Sequence, residues 1–194
     1  MSGEFGFSAG IDAMGLFGWF GHRHERTGFE LYGAAVRAAR EPWFYTELGV
    51  PDTLDGRFDL VGVHAFLVIR RLRGLPAPGP ALAQSVFDAM FSDMDVNLRE
   101  MGVGDLSVGK KVRAMWEAFH GRSLAYESAM AAGDAVALAV ALRRNIWRDE
   151  GFEAAARTLA DIVLARDVDL AQQPLAALAA GRVTFLPMTE ALAA

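Results

Sequence analysis

The chain has 194 residues, enough for one sizeable domain, and is 53% hydrophobic and 22% charged, which excludes intrinsic disorder. With 19 Lys and Arg against 24 Asp and Glu the net charge is −5, so nucleic-acid binding, which rests on cations neutralising phosphates, is not expected. Cys is absent, which removes disulfides, thiolate metal sites and thiol nucleophiles, and the mean hydropathy of +0.20 suggests more apolar surface than one core of this size absorbs.

Residues 14–20 (MGLFGWF) are aromatic, broken by glycine, and followed by His22, Arg23, His24 and Arg26. Rings of this kind suit a lipid interface and cations suit anionic headgroups. Phe17, Trp19 and Phe20 are therefore candidate membrane contacts of an N-terminal arm over 1–26; the alternative is a terminus that folds its rings onto the core. Glu4 and Asp12 interrupt this region and no basic segment opens it, so it does not read as a secretory signal.

From residue 27 the signals are helical. Thr27 with Glu30 has the spacing of a capping box, and an apolar face follows to Ala39. Pro42 suits the first position of a short helix that Gly49 ends. Residues 50–57 (VPDTLDGR) are turn chemistry. The next helix, 58–73, is apolar nearly all round until Arg70, Arg71 and Arg73 arrive at its C-terminal dipole. A Pro/Gly loop covers 74–80, and the longest stretch free of charge, 74–87, is too short and too proline-broken to span a bilayer.

Residues 81–101 show the clearest helical period, with Val86, Phe87, Met90, Phe91, Met94, Leu98 and Met101 recurring at three and four residues. Ser107 is the expected cap of a helix over 108–119, with Gly121 a break before 123–132. Further helices are expected over 135–148, 152–166 and 174–180, and a short extended piece over 183–186. The whole reads as an all-α, single-domain irregular bundle of about seven to eight helices over 27–194.

Candidate chemistry is sparse. GDLSVGKK, ending in Lys110 and Lys111, fits the G-x-x-x-x-G-K spacing. A phosphate loop needs a strand before it and a hydroxyl after the lysine; a helix precedes this one, and Lys111 takes the hydroxyl position. The favoured reading is a turn capped by Ser107, with an anion held at a helix start as the alternative. His64, Asp88 and Asp95 make at most a partial metal set, without an E-x-x-H pair. His120, beside Gly121 and Arg122, is a candidate polar contact, and a single histidine is weak evidence for general base work. No catalytic residue, metal or cofactor is expected. Met is adaptable toward apolar partners, but the Met-bearing face of 81–101 reads first as core.

Two phrases resemble the ubiquinol–cytochrome c chaperone family. One is YTELGVPDTLDGRFD at 45–59, leading into HAFLVIRRL; the other is 82–122, with FDAMFSDMDVNLREMGVGDLSVGKKVRAMWEAFHGR. They cover roughly the central half of the chain, and the alanine-rich C-terminal part agrees in character. The resemblance implies a non-enzymatic, all-helical chaperone that binds newly made cytochrome b, or another apolar membrane-protein client, during assembly of the cytochrome bc1 complex. Mitochondrial relatives use a small partner protein at the ribosomal tunnel exit; for a chain that looks bacterial, both contacts stay open. The expected location is the cytoplasm, peripheral to the inner membrane. An apolar client calls for an adaptable surface, so Phe87, Phe91, Met94 and Trp116 are the candidate client contacts. Asp52, Asp55, Arg57, Asp93, Asp95, Arg99, Lys110 and Lys111 are candidates for a polar rim or for shaping the loops. The competing expectation is a membrane-surface or protein-interaction module without chaperone work.

Overall fold

The computed structural model describes residues 24–192, and the expected membrane contacts Phe17, Trp19 and Phe20 lie outside the described residues. The described chain is all-helical: α1 (Glu25–Ala39), α2 (Trp43–Thr46), α3 (Leu54–Arg73), α4 (Gly79–Glu100), α5 (Asp105–Ala131), α6 (Ala135–Ile146), α7 (Glu153–Gln172), α8 (Leu175–Ala179) and α9 (Met188–Ala191). Two of these, α2 and α9, are single turns.

α3 is the axle. Every residue from Asp59 to Ile69 is buried, and α3 touches α1, α4, α5, α6 and α7. That contact pattern explains its nearly unbroken apolar sequence, since a helix enclosed on all sides needs no polar stripe. α1 and α4 pack on one side of it, and α5, α6 and α7 form the other side. Leu60, Leu67, Leu72, Leu82, Leu142 and Leu159 are fully enclosed, each contributing about 1.5–3 kcal/mol of burial.

Several helix ends differ from the sequence expectation, each for a local reason. The Thr27–Glu30 box does not form: α1 begins at Glu25, and Glu30 instead accepts from Arg26 one turn back at 2.9 Å. α3 begins inside the expected loop, because the Thr53 hydroxyl accepts from the Gly56 amide at 3.1 Å, a cap worth about 1 kcal/mol. Gly104, not Ser107, is the N-cap of α5. α5 runs through Gly121 for 27 residues, because Phe119, Ser123 and Tyr126 on either side of the glycine are held in the core. α7 continues past Arg166 to Gln172. Residues 183–186 pair with no strand and pass over the core as an irregular strap.

Candidate functional site

Two of the sequence-predicted client residues, Phe87 and Phe91, meet Phe119 where α4 faces α5. Phe87 and Phe91, one turn apart on α4, lie with ring centroids 4.7 Å apart, and both reach Phe119 of α5 at 6.0 and 6.1 Å. Phe119 is buried, while Phe87 and Phe91 are only partly covered. Trp116, one turn before Phe119 on α5 and also partly covered, stacks on His120 with centroids 5.3 Å apart and planes 8° from parallel. Met94 is placed differently from its three companions. It is 6% exposed and belongs to the core, so it is not a surface contact. The period that put it on the Phe87 face did not show that the helix turns this part of its stripe inward.

The front half of α5 is thinly attached. From Asp105 to Ala118 only Val108 is buried, whereas Leu106 is 94% exposed and Met101, in the turn before it, 56% exposed. The front half of α5 therefore stands out from the bundle beside α4, which is itself packed on α1 and α3. The turn between α4 and α5 is braced by Arg99, which pairs with Asp95 on α4 at 2.5 Å and with Asp105 at the start of α5. Lys110 and Lys111 lie exposed on the same half of α5.

The other polar candidates are scattered. Asp93 accepts from the Tyr32 hydroxyl at 2.8 Å and so ties α1 to α4; burial and this carboxylate raise the Tyr32 pKa, burial being the larger cause. Arg57 donates to Asp52 at 2.6 Å across the start of α3, where Asp55 is exposed in the first turn. The hydrogen bond from Arg57 holds the Asp52 carboxyl below its usual range. His64, Asp88 and Asp95 do not converge: His64 lies in the core, Asp88 accepts from Gln84 at 2.7 Å, and Asp95 is taken by Arg99. Among the described residues no group of His, Asp and Glu is assembled to hold a metal ion.

Two polar knots were not picked out from the sequence. In the first, the buried carboxylate of Asp59 on α3 pairs with Arg122 of α5, and Arg148, beyond α6, reaches its other oxygen at 2.7 Å. Burial raises the Asp59 pKa, and the two guanidinium groups oppose that rise. Arg148 belongs to a turn in which Arg148, Asp149 and Phe152 all have positive φ, between 56° and 65°, a costly backbone for side chains of this kind. The Trp147 indole donates to the Gly49 carbonyl at 3.1 Å and stacks on Phe152 at 5.8 Å, which anchors that turn.

In the second knot Arg166 of α7, with no solvent exposure, donates to His64 on α3 and to Glu41 at 2.8 Å. Its guanidinium lies 5.5 and 5.6 Å from the Phe44 and Phe185 ring centres. His64 Nδ1 donates to the Leu60 carbonyl at 2.8 Å, which leaves Nε2 to accept from Arg166. An arginine in an otherwise apolar stretch of α7 was the available signal for this knot. A charge in that position must be paired to be tolerated.

A shallow apolar depression between α6 and α7 is lined by Val136, Ala139, Val140 and Ala156, with Arg143, Glu153 and Arg157 at its edge. No helix among the described residues is long and apolar enough to cross a membrane.

The family model described as "Ubiquinol-cytochrome C chaperone" matches residues 46–185, which includes the Asp59 knot, Arg166 and His64 of the second knot, and all of α4 and α5. The crystal structure of the Cbp3 homolog from Brucella abortus is similar over 86% of this chain and 92% of that chain, with a TM-score of 0.78 and 38% identity. A curated relative from Xenopus laevis, ubiquinol-cytochrome-c reductase complex assembly factor 1, is 23% identical over 116 residues, covering 60% of this chain. The match spans 58% of that relative's length.

Proposed function

The chain belongs to the ubiquinol–cytochrome c chaperone family, a family of assembly factors and not of enzymes, and from that premise we propose that it is an assembly chaperone of the cytochrome bc1 complex. Its client is newly made cytochrome b, held by apolar helices before the complex is complete. The observation that supports this reading is the half-covered pair Phe87 and Phe91 packed on the buried Phe119, with the partly covered Trp116 one turn earlier on α5. A client helix laid along this α4–α5 seam gains apolar burial without disturbing the core. Asp95, Arg99, Lys110 and Lys111 form the polar rim of that seam; Asp52, Asp55 and Arg57 shape the entry to α3, and Asp93 fixes α1 against α4. The work is done in the cytoplasm, with peripheral contact at the inner membrane through Phe17, Trp19 and Phe20.

The test is site-specific photo-crosslinking in cells making cytochrome b, with the probe at Phe91 or Trp116 and, as the comparison, at Val136 on α6. Crosslinks to cytochrome b from the first two and none from Val136 support the assignment. The reverse pattern moves the client to the α6–α7 side, and no crosslink from any position removes cytochrome b as the client. Co-sedimentation with anionic liposomes, with and without residues 1–26, tests the membrane contact separately; equal sedimentation of the two forms excludes the arm.

A further inference from the structure

The strap that follows α8 is held in a manner usually seen between a receptor and a bound peptide. α8 ends at Gly181, whose φ is +73°, and the Arg182 amide closes back on the Ala177 carbonyl at 3.0 Å. The chain then leaves without regular structure through Pro187. Gln173 grips it with a single side chain: Oε1 accepts from the Thr184 amide at 3.1 Å, and Nε2 donates to the Thr184 carbonyl at 2.7 Å. Two residues further on, Arg166 Nε donates to the Leu186 carbonyl at 3.1 Å. These three bonds go to main-chain atoms and recognise an extended backbone, while Arg166 Nη2 also donates to the Met188 sulfur at 3.4 Å. Between these two grips, the Phe185 ring lies against His64 at 5.4 Å and against the Arg166 guanidinium at 5.6 Å.

The receptor side is built independently of the strap. Gln173 is positioned by Arg71, which donates to its carbonyl at 2.9 Å, and by Asp169, which accepts from its amide at 3.1 Å. Arg166 is positioned by Glu41 and His64. Side chains held in this way present donors and an acceptor at fixed spacing, a preorganised equivalent of a strand edge.

We propose that the channel formed by Gln173, Arg166, His64 and Phe44 is a recognition groove for an extended polypeptide segment bearing an aromatic residue, and that residues 182–188 occupy it in cis as a built-in competitor. This groove is separate from the α4–α5 seam and stands or falls without it. A segment tethered a few residues from its own groove has an effective concentration in the millimolar range. A partner segment therefore gains entry only when it binds more tightly than the strap or when the strap is loosened.

The experiment uses the full chain and a fluorescent peptide of the strap's own sequence, RVTFLPM, read by polarisation. Phe185→Ala weakens the tethered occupant and leaves the groove walls intact, so the peptide is expected to bind this variant at least tenfold more tightly than the unaltered chain. The gain is expected to vanish when Gln173→Ala is added. A peptide with proline in the Thr184 place, which lacks the N–H that Gln173 accepts from, is expected to bind at least tenfold more weakly. Thr184→Pro in the full chain alters only the strap, and it serves as the second variant if Phe185→Ala fails to fold. Equal peptide binding to the unaltered chain and to a folded strap variant overturns the proposal. A gain that survives Gln173→Ala also overturns it, since the contact is then not the backbone grip.

Discussion

Arg166 and His64 illustrate how a buried charge constrains its neighbours. Arg166 must donate to something at every nitrogen, and a protonated imidazole cannot accept, so the neutral form of His64 is a requirement of the packing. Burial first, and then the Arg166 charge, lowers the His64 pKa to about 3, against the opposing effect of the Leu60 carbonyl. The unfolded imidazole titrates near 6.5. Between those two values the folded state binds fewer protons than the unfolded state, so its stability is complete above the upper value and is lost as pH falls. The loss is about 1.4 kcal/mol per pH unit at most, or about 2 kcal/mol by pH 5. Urea denaturation at pH 7.5, 6 and 5 measures it. His64→Gln is expected to be less stable at pH 7.5 yet much flatter across that range, because the amide oxygen accepts from Arg166 without titrating. An equally steep decline in the variant would place the proton uptake elsewhere, for example on His120, whose pKa is also lowered by burial and by Arg73.

Glycines separate helices that are pressed together from helices that stand apart. On α1 a Cβ added at Gly28 would lie 2.5 Å from the Ser85 carbonyl oxygen of α4, so the two backbones cross with no room for a methyl group. Gly28→Ala is expected to cost about 2 kcal/mol or more, since overpacking of this kind displaces main chain; thermal or urea midpoints show it. On α5, Gly109 and Gly121 have nothing within 4 Å, and alanine there is expected to add about 0.5–1 kcal/mol each from helix propensity alone. If the client lies close along this part of α5, the same substitutions lower the crosslinking yield from Trp116 while raising the melting point. A rise in both readings would mean that the glycines do not admit the client. This contrast explains what the sequence disclosed at the level of elements. A nearly continuous apolar run identified α3 and periods of three and four residues identified α4, because burial imposes both patterns locally. The capping box at Thr27, the break at Gly121 and the client role of Met94 were misread, because each depends on which neighbour covers the position. A neighbour is a property of the assembled bundle and leaves no mark at one position in the chain.

At the scale of the molecule, α3 lies between an α1–α4 side and an α5–α6–α7 side, and Asp59 is one of the points, with His64 and Arg70, where the second side is fastened to it. The two phrases that carry the family resemblance meet here: Asp59 closes the first and Arg122 closes the second, 63 residues apart. The family was legible through these long ungapped phrases, while the fastening itself was not, since nothing in either phrase names its partner. Arg148, which completes the knot, lies outside both phrases and is drawn in only by the left-handed turn after α6. Removing the carboxylate charge leaves two arginines facing each other with one partly buried, an arrangement that costs about 2 kcal/mol. For Asp59→Asn the expectation is a loss of that size in urea denaturation and faster amide exchange in 147–152 and through the second half of α5. Amides of α1 and α4, which pack on each other and on the far side of α3, are expected to keep their protection at mild denaturant. The front of α5 is held by its packing on α4 as well as by this pair, so crosslinking from Trp116 is expected to fall. Uniform acceleration of exchange in α1, α4 and α5 would mean that the bundle opens as one unit and that Asp59 is a core residue like any other. Acceleration confined to the α5–α7 side would identify the knot as a joint that holds α5 at a fixed angle to α3.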